Sequence, residues 1–351
     1  MPLVGIDCRF ASRRAGLGTY TREIVRSLLS VDGPCSWVVF VHDDPQTNQW
    51  LASLPVGSWK SQTVAAPHYT ISEHRELRRA MRDSGISLFF SPHFTVPFFC
   101  PVPFVATIHD LILHRFPGNA SFLKRCMYRV LVWRTLRKAS AVIAVSEYTA
   151  SQIGAYYGPA MRKKVSVVYE GFSAEFHRSN DAETTSVLDR LGLVRGFLLY
   201  VGNAKQHKNL AMLLEAHRAV PEAPHLVIVS DDDLTHLTID SRRVRIFGNV
   251  SDATLRCLYS AASCFVTASL EEGFCLPSLE ARACGCPVIA FDLSALPEVA
   301  GPDAKLIAPD LPSLTEAIRH PPTSSSPPEN IFSWASAGAS THAILQRVLH
   351  S

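Results

Sequence analysis

Short, nearly uninterrupted apolar runs recur along this chain, each closed by a polar turn and followed by a stretch with helical spacing. No other feature restricts the fold as much, because a strand that is apolar on both faces has to be covered on both. In the first half the runs are PLVGID (2–7), SWVVFVHDD (36–44), ISLFFSP (86–92), VPFVATIHD (102–110), ASAVIAVS (139–146) and KVSVVYEG (164–171). Between the first two, LGTYTREIVRSLL (17–29) sets Ile24, Val25, Leu28 and Leu29 on one helical face. The pattern restarts after residue 196 with FLLYVGN (197–203), a helix over NLAMLLEAHRAV (209–220), HLVIVSDDD (225–233), VRIFGNV (244–250), CFVTAS (264–269) and PVIAFD (287–292). Two α/β domains in tandem follow, each a doubly wound parallel sheet, with the boundary between residues 172 and 196. Such sheets bind ligands at the carboxyl ends of their strands, so the expected site is the cleft between the domains. HPPTSSSPPENI (320–331) reads as a loop or mobile linker, and a last helix spans 334–349.

Composition narrows the class. Apolar residues make up 47% and charged residues 19% of the 351 positions, as in a soluble globular protein, and no apolar run reaches membrane-spanning length. MPLVGIDCRF has no basic region ahead of a long apolar one, so it reads as a first strand rather than a secretion signal. The nine cysteines include no C-x-x-C pair, which fits reduced thiols in a cytoplasmic protein. Residues 1–178 carry 21 Lys/Arg against 12 Asp/Glu, and the remainder 13 against 19, so the halves differ in sign and in expected partners. No aromatic-basic interleaving of the RNA-binding kind is present, and nucleic acid is not an expected partner. Residues 115–138 hold seven cations and no acid, interleaved with Phe122, Leu123, Met127, Leu131 and Trp133. Two readings stand for that segment: an ordinary solvated face, or a peripheral contact with anionic lipid.

The chemistry concentrates in SLEEGFCLPSLEARACGCPVIA (269–290). Pro277 suits a first helical position, and Gly285 with Pro287 suits the end of that helix. EEGFC then lies in the loop at a strand's carboxyl end, with Phe274, Cys275 and Leu276 at a helix N-terminus suited to phosphate. Glu280 falls in the helix, where an acid is either a partner of the helix dipole or a holder of a ribose diol. Glu271 has no role beyond neighbouring Glu272. Lys205 and Lys208 lie between a strand and a helix, either solvated or facing an anion. RAGLGTYTR (14–22) lacks the third glycine of a dinucleotide fingerprint. His109 and Asp110 close a buried strand as either a structural pair or a catalytic one. SDDD (230–233) reads as a strand-end turn rather than a metal site.

Taken together, these stretches resemble the retaining glycosyltransferases of family 4. EEGFCLPSLEARACGCPVIA is similar to that family's E-x7-E signature, with its glutamates at Glu272 and Glu280. RAGLGTYTREIVRSL, the segment ending ATIHDLI, AVIAVSEYTASQI, YVGNAKQHKN and FGNVSDATLRCLYSAAS resemble the family's other stretches in order. The resemblance implies a GT-B fold of two Rossmann-like domains. They would be an acceptor domain (1–172, joined again by the helix 334–351) and a nucleotide-sugar domain (173–333).

It further implies that Glu272 meets the donor sugar's hydroxyls, Glu280 the ribose and Lys208 the diphosphate. His109 would lie near the reacting sugar, Gly16 would approach the phosphates, and Asn203 and Val250 would line the nucleotide. No resident metal or cofactor is implied. The co-substrate would be a GDP- or UDP-linked sugar, with GDP-mannose as the specific expectation. The acceptor would be a glycan or lipid-linked glycan, and the location cytoplasmic or peripheral on the inner membrane face. Three positions depart from the pattern: Asn203 where many members have Arg, Cys275 where glycine is usual, and a short 320–333 segment. A nicotinamide dehydrogenase is excluded by the missing fingerprint. An inert sugar- or lipid-binding scaffold of the same fold is the alternative.

Overall fold

A computed structural model describes residues 2–13, 16–116, 118 and 120–351. It divides into two compact units, one formed by residues through Leu111, Phe122–Gly171 and Ile331–Ser351, the other by Ile112–Ser121 and Phe172–Asn330.

The first unit is built on a seven-stranded sheet: β1 (Leu3–Asp7), β2 (Ser36–Val41), β3 (Trp59–Thr63), β4 (Leu88–Ser91), β5 (Phe104–Ile108), β6 (Ala141–Ala144) and β7 (Val165–Val167). Their order is β3-β2-β1-β4-β5-β6-β7, and each pairing is parallel. The second unit repeats the plan with β8 (Leu198–Val201), β9 (Leu226–Val229), β10 (Val244–Phe247), β11 (Cys264–Thr267), β12 (Val288–Phe291) and β13 (Lys305–Ile307), ordered β10-β9-β8-β11-β12-β13. The strand order reverses beside β1 and β4 in one unit and beside β8 and β11 in the other, where the loops at the carboxyl ends part and leave room for a ligand.

Central strands such as β4, β5, β11 and β12 are buried throughout, which is why their sequences carry no polar alternation. The sequence reading omitted β3 and β13. Both lie at sheet edges, where WKSQT and KLI show neither an apolar run nor full burial. Each expected strand is shorter than its apolar run, and two shrink most: of 164–171 only Val165–Val167 pairs, and of 225–233 only Leu226–Val229.

The terminal helix Trp334–Leu349 packs on the helix Gly16–Leu29. Ser27 Oγ donates to the Trp334 carbonyl at 2.6 Å, and Gln346 Nε2 donates to Cys35 Sγ at 3.0 Å. Gly338 makes this approach possible, because a Cβ there would stand 2.5 Å from the Ser27 Cβ, and Gly171 lets the chain at Trp334 pass close, since a Cβ there would stand 2.2 Å from the Trp334 nitrogen. The segment 320–330 has no helix or strand, but it is anchored. Buried Arg282 donates to the Pro327 carbonyl at 3.3 Å and to Glu329 at 3.0 Å. Among the described residues no helix is long and apolar enough to cross a membrane.

Candidate active site

In the second unit, the loops following β8 and β11 meet. After β11 the chain passes Glu271, Glu272 and Phe274, all buried, to Cys275, which caps the helix Leu276–Ala283. Pro277 is thus the second helical residue, not the first. Cys275 is left-handed (φ 84°, ψ 64°), a conformation a Cβ disfavours by about 1–2 kcal/mol, which accounts for glycine being the usual residue there. Burial, with the nearby Glu272 charge, pushes its thiol pKa far up, so it stays protonated.

After β8 the chain turns through Asn203 and Lys205 into a single 3₁₀ turn, Gln206–Lys208. Lys208 Nζ donates to Glu272 Oε1 at 2.5 Å, with side-chain exposures of 16% and 8%. That separates the two lysines left open by sequence, since Lys205 is exposed and only its backbone N–H bonds Asn203 Oδ1. The loops are also tied through the Leu270 N–H to the His207 carbonyl at 2.7 Å. Burial, then the neighbouring Lys208, lower the His207 pKa to about 4, so that ring adds no charge at neutral pH.

Glu280 lies one turn into the helix, partly buried, and accepts from the Tyr259 hydroxyl at 3.2 Å. Burial raises its pKa to about 8, with the Tyr259 bond opposing, so the carboxyl is largely protonated at neutral pH. Glu271, passed over in the sequence reading, is a bound acid: Arg115 Nη1 donates to its Oε2 at 2.5 Å. Ring contact between Phe116 and His207 at 6.0 Å seats the same segment, Ile112–Ser121, in this unit.

The three aspartates of SDDD each accept from a backbone N–H: Asp231 from Asn249, Asp232 from Ala204 and Asp233 from Thr235. Asp232 and Asp231 brace the turns carrying Asn203 and Val250, and Asp233 closes its own turn, which is the turn-forming use expected for them. Asn249 is itself left-handed, and Val250 is partly buried against the core.

In the first unit, His109 follows β5. Its Nε2 lies 2.8 Å from the Pro92 carbonyl and its Nδ1 3.2 Å from Glu170 Oε1. Burial disfavours a charged ring, but the hydrogen bond and charge of Glu170 outweigh it and raise the pKa, so both nitrogens donate in the charged form. Tyr20 meets the ring edge-on at 4.5 Å and bonds Thr107 below it. Sequence reasoning missed Glu170, although an acid just past the last strand of the sheet was the available signal. It also missed the buried Arg9, which donates to Asp7 at 2.8 and 2.7 Å and to Glu73 at 2.7 Å.

Gly16 opens its helix with nothing within 4 Å of a built Cβ, whereas a Cβ on Gly18 would strike the Arg13 carbonyl at 1.8 Å. Arg14 and Ala15 of the same loop lie outside the described residues.

A parallel sheet of Rossmann order, with an acid–lysine pair and a helix start at its switch point, is an arrangement suited to a phosphorylated nucleotide. The comparisons with known proteins make it particular. The model of Glycosyltransferase Family 4 matches residues 14–176, and that of Glycosyl transferases group 1 matches residues 195–320. O-antigen chain mannosyltransferase B of Escherichia coli is 30% identical over 328 residues, spanning 84% of this chain and 82% of that one. O-antigen chain mannosyltransferase RfbU of Salmonella typhimurium is 26% identical over 251 residues, 69% and 66% of the two chains. Among solved structures, Anabaena HepE in complex with UDP-glucose superposes with a TM-score of 0.73 at 18% identity, over 100% of this chain and 99% of that one. WaaG, a glycosyltransferase involved in lipopolysaccharide biosynthesis, superposes with a TM-score of 0.70 at 14% identity, over 99% and 97%. The chain belongs to the group 1, family 4 glycosyltransferases; it has the GT-B fold and is an enzyme of the transferase class.

Proposed function

We propose that this enzyme transfers a mannosyl residue from a nucleotide-diphosphate sugar, GDP-mannose, to a growing glycan, retaining the anomeric configuration and using no metal. The observation that carries the donor assignment is the Lys208–Glu272 pair at the start of the helix Leu276–Ala283. Cleaving the glycosyl–phosphate bond builds negative charge on the leaving diphosphate and positive charge on the sugar carbon. Lys208 and the helix start, at Phe274, Cys275 and Leu276, meet the first without a divalent cation. Glu272, freed from Lys208 when the diphosphate takes the ammonium, accepts hydrogen bonds from the sugar hydroxyls. It does not act as nucleophile: the acceptor hydroxyl attacks from the face the diphosphate leaves, so configuration is kept.

Glu280 holds the ribose, either accepting from its hydroxyls or, protonated, donating to one. Asn203 and the turn at Val250 line the nucleotide. In the first unit we assign His109 to the sugar undergoing transfer and Gly16 to phosphate approach, as the family resemblance implies. The names of the O-antigen relatives support mannose and a polysaccharide acceptor, with a lipid-linked glycan as the acceptor class. Incubating the enzyme with GDP-mannose, GDP-fucose, UDP-glucose or UDP-galactose and a lipid-diphosphate-linked glycan, with EDTA present, tests all three points. Turnover with GDP-mannose alone, unaffected by EDTA and giving an α-linked product, is expected; an inverted product or a requirement for added Mg²⁺ would overturn the mechanism.

A further inference from the structure

The segment Ile112–Ser121 belongs to the second unit, although the chain on both sides of it, through Leu111 and from Phe122 onward, belongs to the first. Its side chains hold it there. Arg115 Nη1 donates to Glu271 Oε2 at 2.5 Å, on the loop after β11. The Phe116 ring lies 6.0 Å from the His207 ring, on the loop after β8. Gly118 sits where an added Cβ would stand 2.8 Å from Gln206 Oε1. The segment is thus a strap across both loops that carry the Lys208–Glu272 pair, and these contacts fall on the neighbours of the pair rather than on the pair itself.

Glu271 and Glu272 are consecutive and both buried, at 2% and 6% exposure. Two adjacent buried carboxylates call for two cations, because a buried charge without a partner is strongly disfavoured. Lys208 serves Glu272, and Arg115 serves Glu271. Donor binding treats the two pairs differently. Lys208 is the cation proposed above to turn to the diphosphate, which takes it from Glu272 just when Glu272 must hold the sugar. Arg115 stays with Glu271, so one side chain of the loop remains fixed while its neighbour is released. The backbone of this loop is held at Leu270, whose N–H donates to the His207 carbonyl at 2.7 Å. It is held again at Glu272, whose carbonyl accepts from the Ala295 N–H at a longer 3.4 Å. Glu271 lies between those two anchors, and its carboxylate adds a third.

We infer that Arg115 is a positioning residue for the transfer reaction: through Glu271 it fixes the peptide ahead of Glu272 and keeps that carboxylate aimed at the donor's sugar once Lys208 has left it. With the donor roles proposed above for Lys208 and Glu272 as its basis, this divides donor recognition in two. The diphosphate is met by Lys208 and the helix start, so GDP alone should bind without Arg115. The sugar is met by Glu272, so GDP-mannose should need Arg115 both for its extra affinity and for its full rate.

Arg115→Met/Glu271→Gln removes the pair without stranding a buried charge, and Arg115→Lys keeps the charge without the planar fork. The test is isothermal titration and single-turnover transfer with each protein, with melting temperatures to show that the variants fold. For the double variant, GDP affinity should stay within about 2-fold of the parent. GDP-mannose affinity should fall about 10-fold and transfer at least about 10-fold, the effect of a misplaced hydrogen-bonding carboxylate. Arg115→Lys should recover part of both. A merely structural pair would weaken GDP and GDP-mannose by the same factor; that result, or transfer within about 2-fold of the parent, would overturn the proposal. Amide hydrogen exchange across residues 269–275 of the free enzyme should quicken in the double variant. That measurement needs no donor: unchanged exchange would overturn the role of Arg115 whatever the sugar, whereas a parent that binds no GDP-mannose would count against the donor reading alone.

Discussion

Neutralising one partner of the Lys208–Glu272 pair should damage the second unit more than neutralising both. The two groups are 2.5 Å apart and mostly shielded from water. Removing one member of a fully buried pair leaves an uncompensated charge at a cost of about 3–5 kcal/mol. Lys208 keeps some contact with solvent, which scales the expected cost of Lys208→Met or Glu272→Gln to about 2 kcal/mol each. In a unit of this size that is a fall of roughly 4–8 °C in melting temperature. The double variant strands no charge and should lose less than about 1 kcal/mol, about 3 kcal/mol short of the two single losses together. Differential scanning fluorimetry and urea unfolding of the four proteins complete the cycle. Adding GDP tests the second half, because a diphosphate should partly rescue Glu272→Gln by giving Lys208 a partner, and should not rescue Lys208→Met. Additive single losses, within about 0.5 kcal/mol, would refute the pairing as the feature that joins these loops.

Two further outcomes follow from the titrating groups. The Glu280 carboxyl titrates near 4.5 when unfolded and near 8 when folded. The folded state therefore holds a proton the unfolded chain has lost, and stability should fall as the pH rises across that window. Glu280→Gln should flatten the slope and raise stability at pH 8, on the order of 2 kcal/mol after allowing for the group's partial exposure; an unchanged slope would contradict the burial argument. The His109 pKa is raised, so its contribution is fully present below 6.5 and lost as the pH rises through the folded value. Glu170→Gln should drop that pKa to the ordinary range or lower, read from the imidazole proton shifts by NMR, and no drop would remove Glu170 as the positioning group.

Much of the fold was legible because burial on both faces leaves an unmistakable trace. LFFS, FVATI, CFVT and VIAF are each read as strands without any homologue. The edge strands WKSQT and KLI were not, since a strand with one neighbour and a wet side loses that trace. At the site, the positions of a strand end and a helix start marked Glu272, Glu280 and two lysines as candidates, and the family resemblance gave Glu272, Glu280 and Lys208 their expected roles. Which lysine faces an acid was beyond spacing alone, because it depends on the turn Gln206–Lys208 and on the left-handed Asn209 that follows it. The pairings His109–Glu170 and Arg115–Glu271 were beyond reach for a different reason: the partners are 61 and 156 positions apart, and although Glu170 stands as an acid past a strand, local sequence carries no record of which residue it meets. Cys275 was legible as a departure, and its positive φ now gives the physical meaning: the helix start keeps a backbone shape suited to glycine while bearing a buried thiol.

The central claim is that Lys208 and Glu272 handle the donor of a mannosyl transfer. It is tested most directly by single-turnover transfer from GDP-mannose with Lys208→Met and Glu272→Gln, alongside isothermal titration of GDP. The account predicts a loss of transfer on the order of 10²-fold or more in each, the scale of one transition-state stabiliser. GDP affinity should fall for Lys208→Met and be kept for Glu272→Gln. Transfer within a few-fold of the parent in both variants would contradict it.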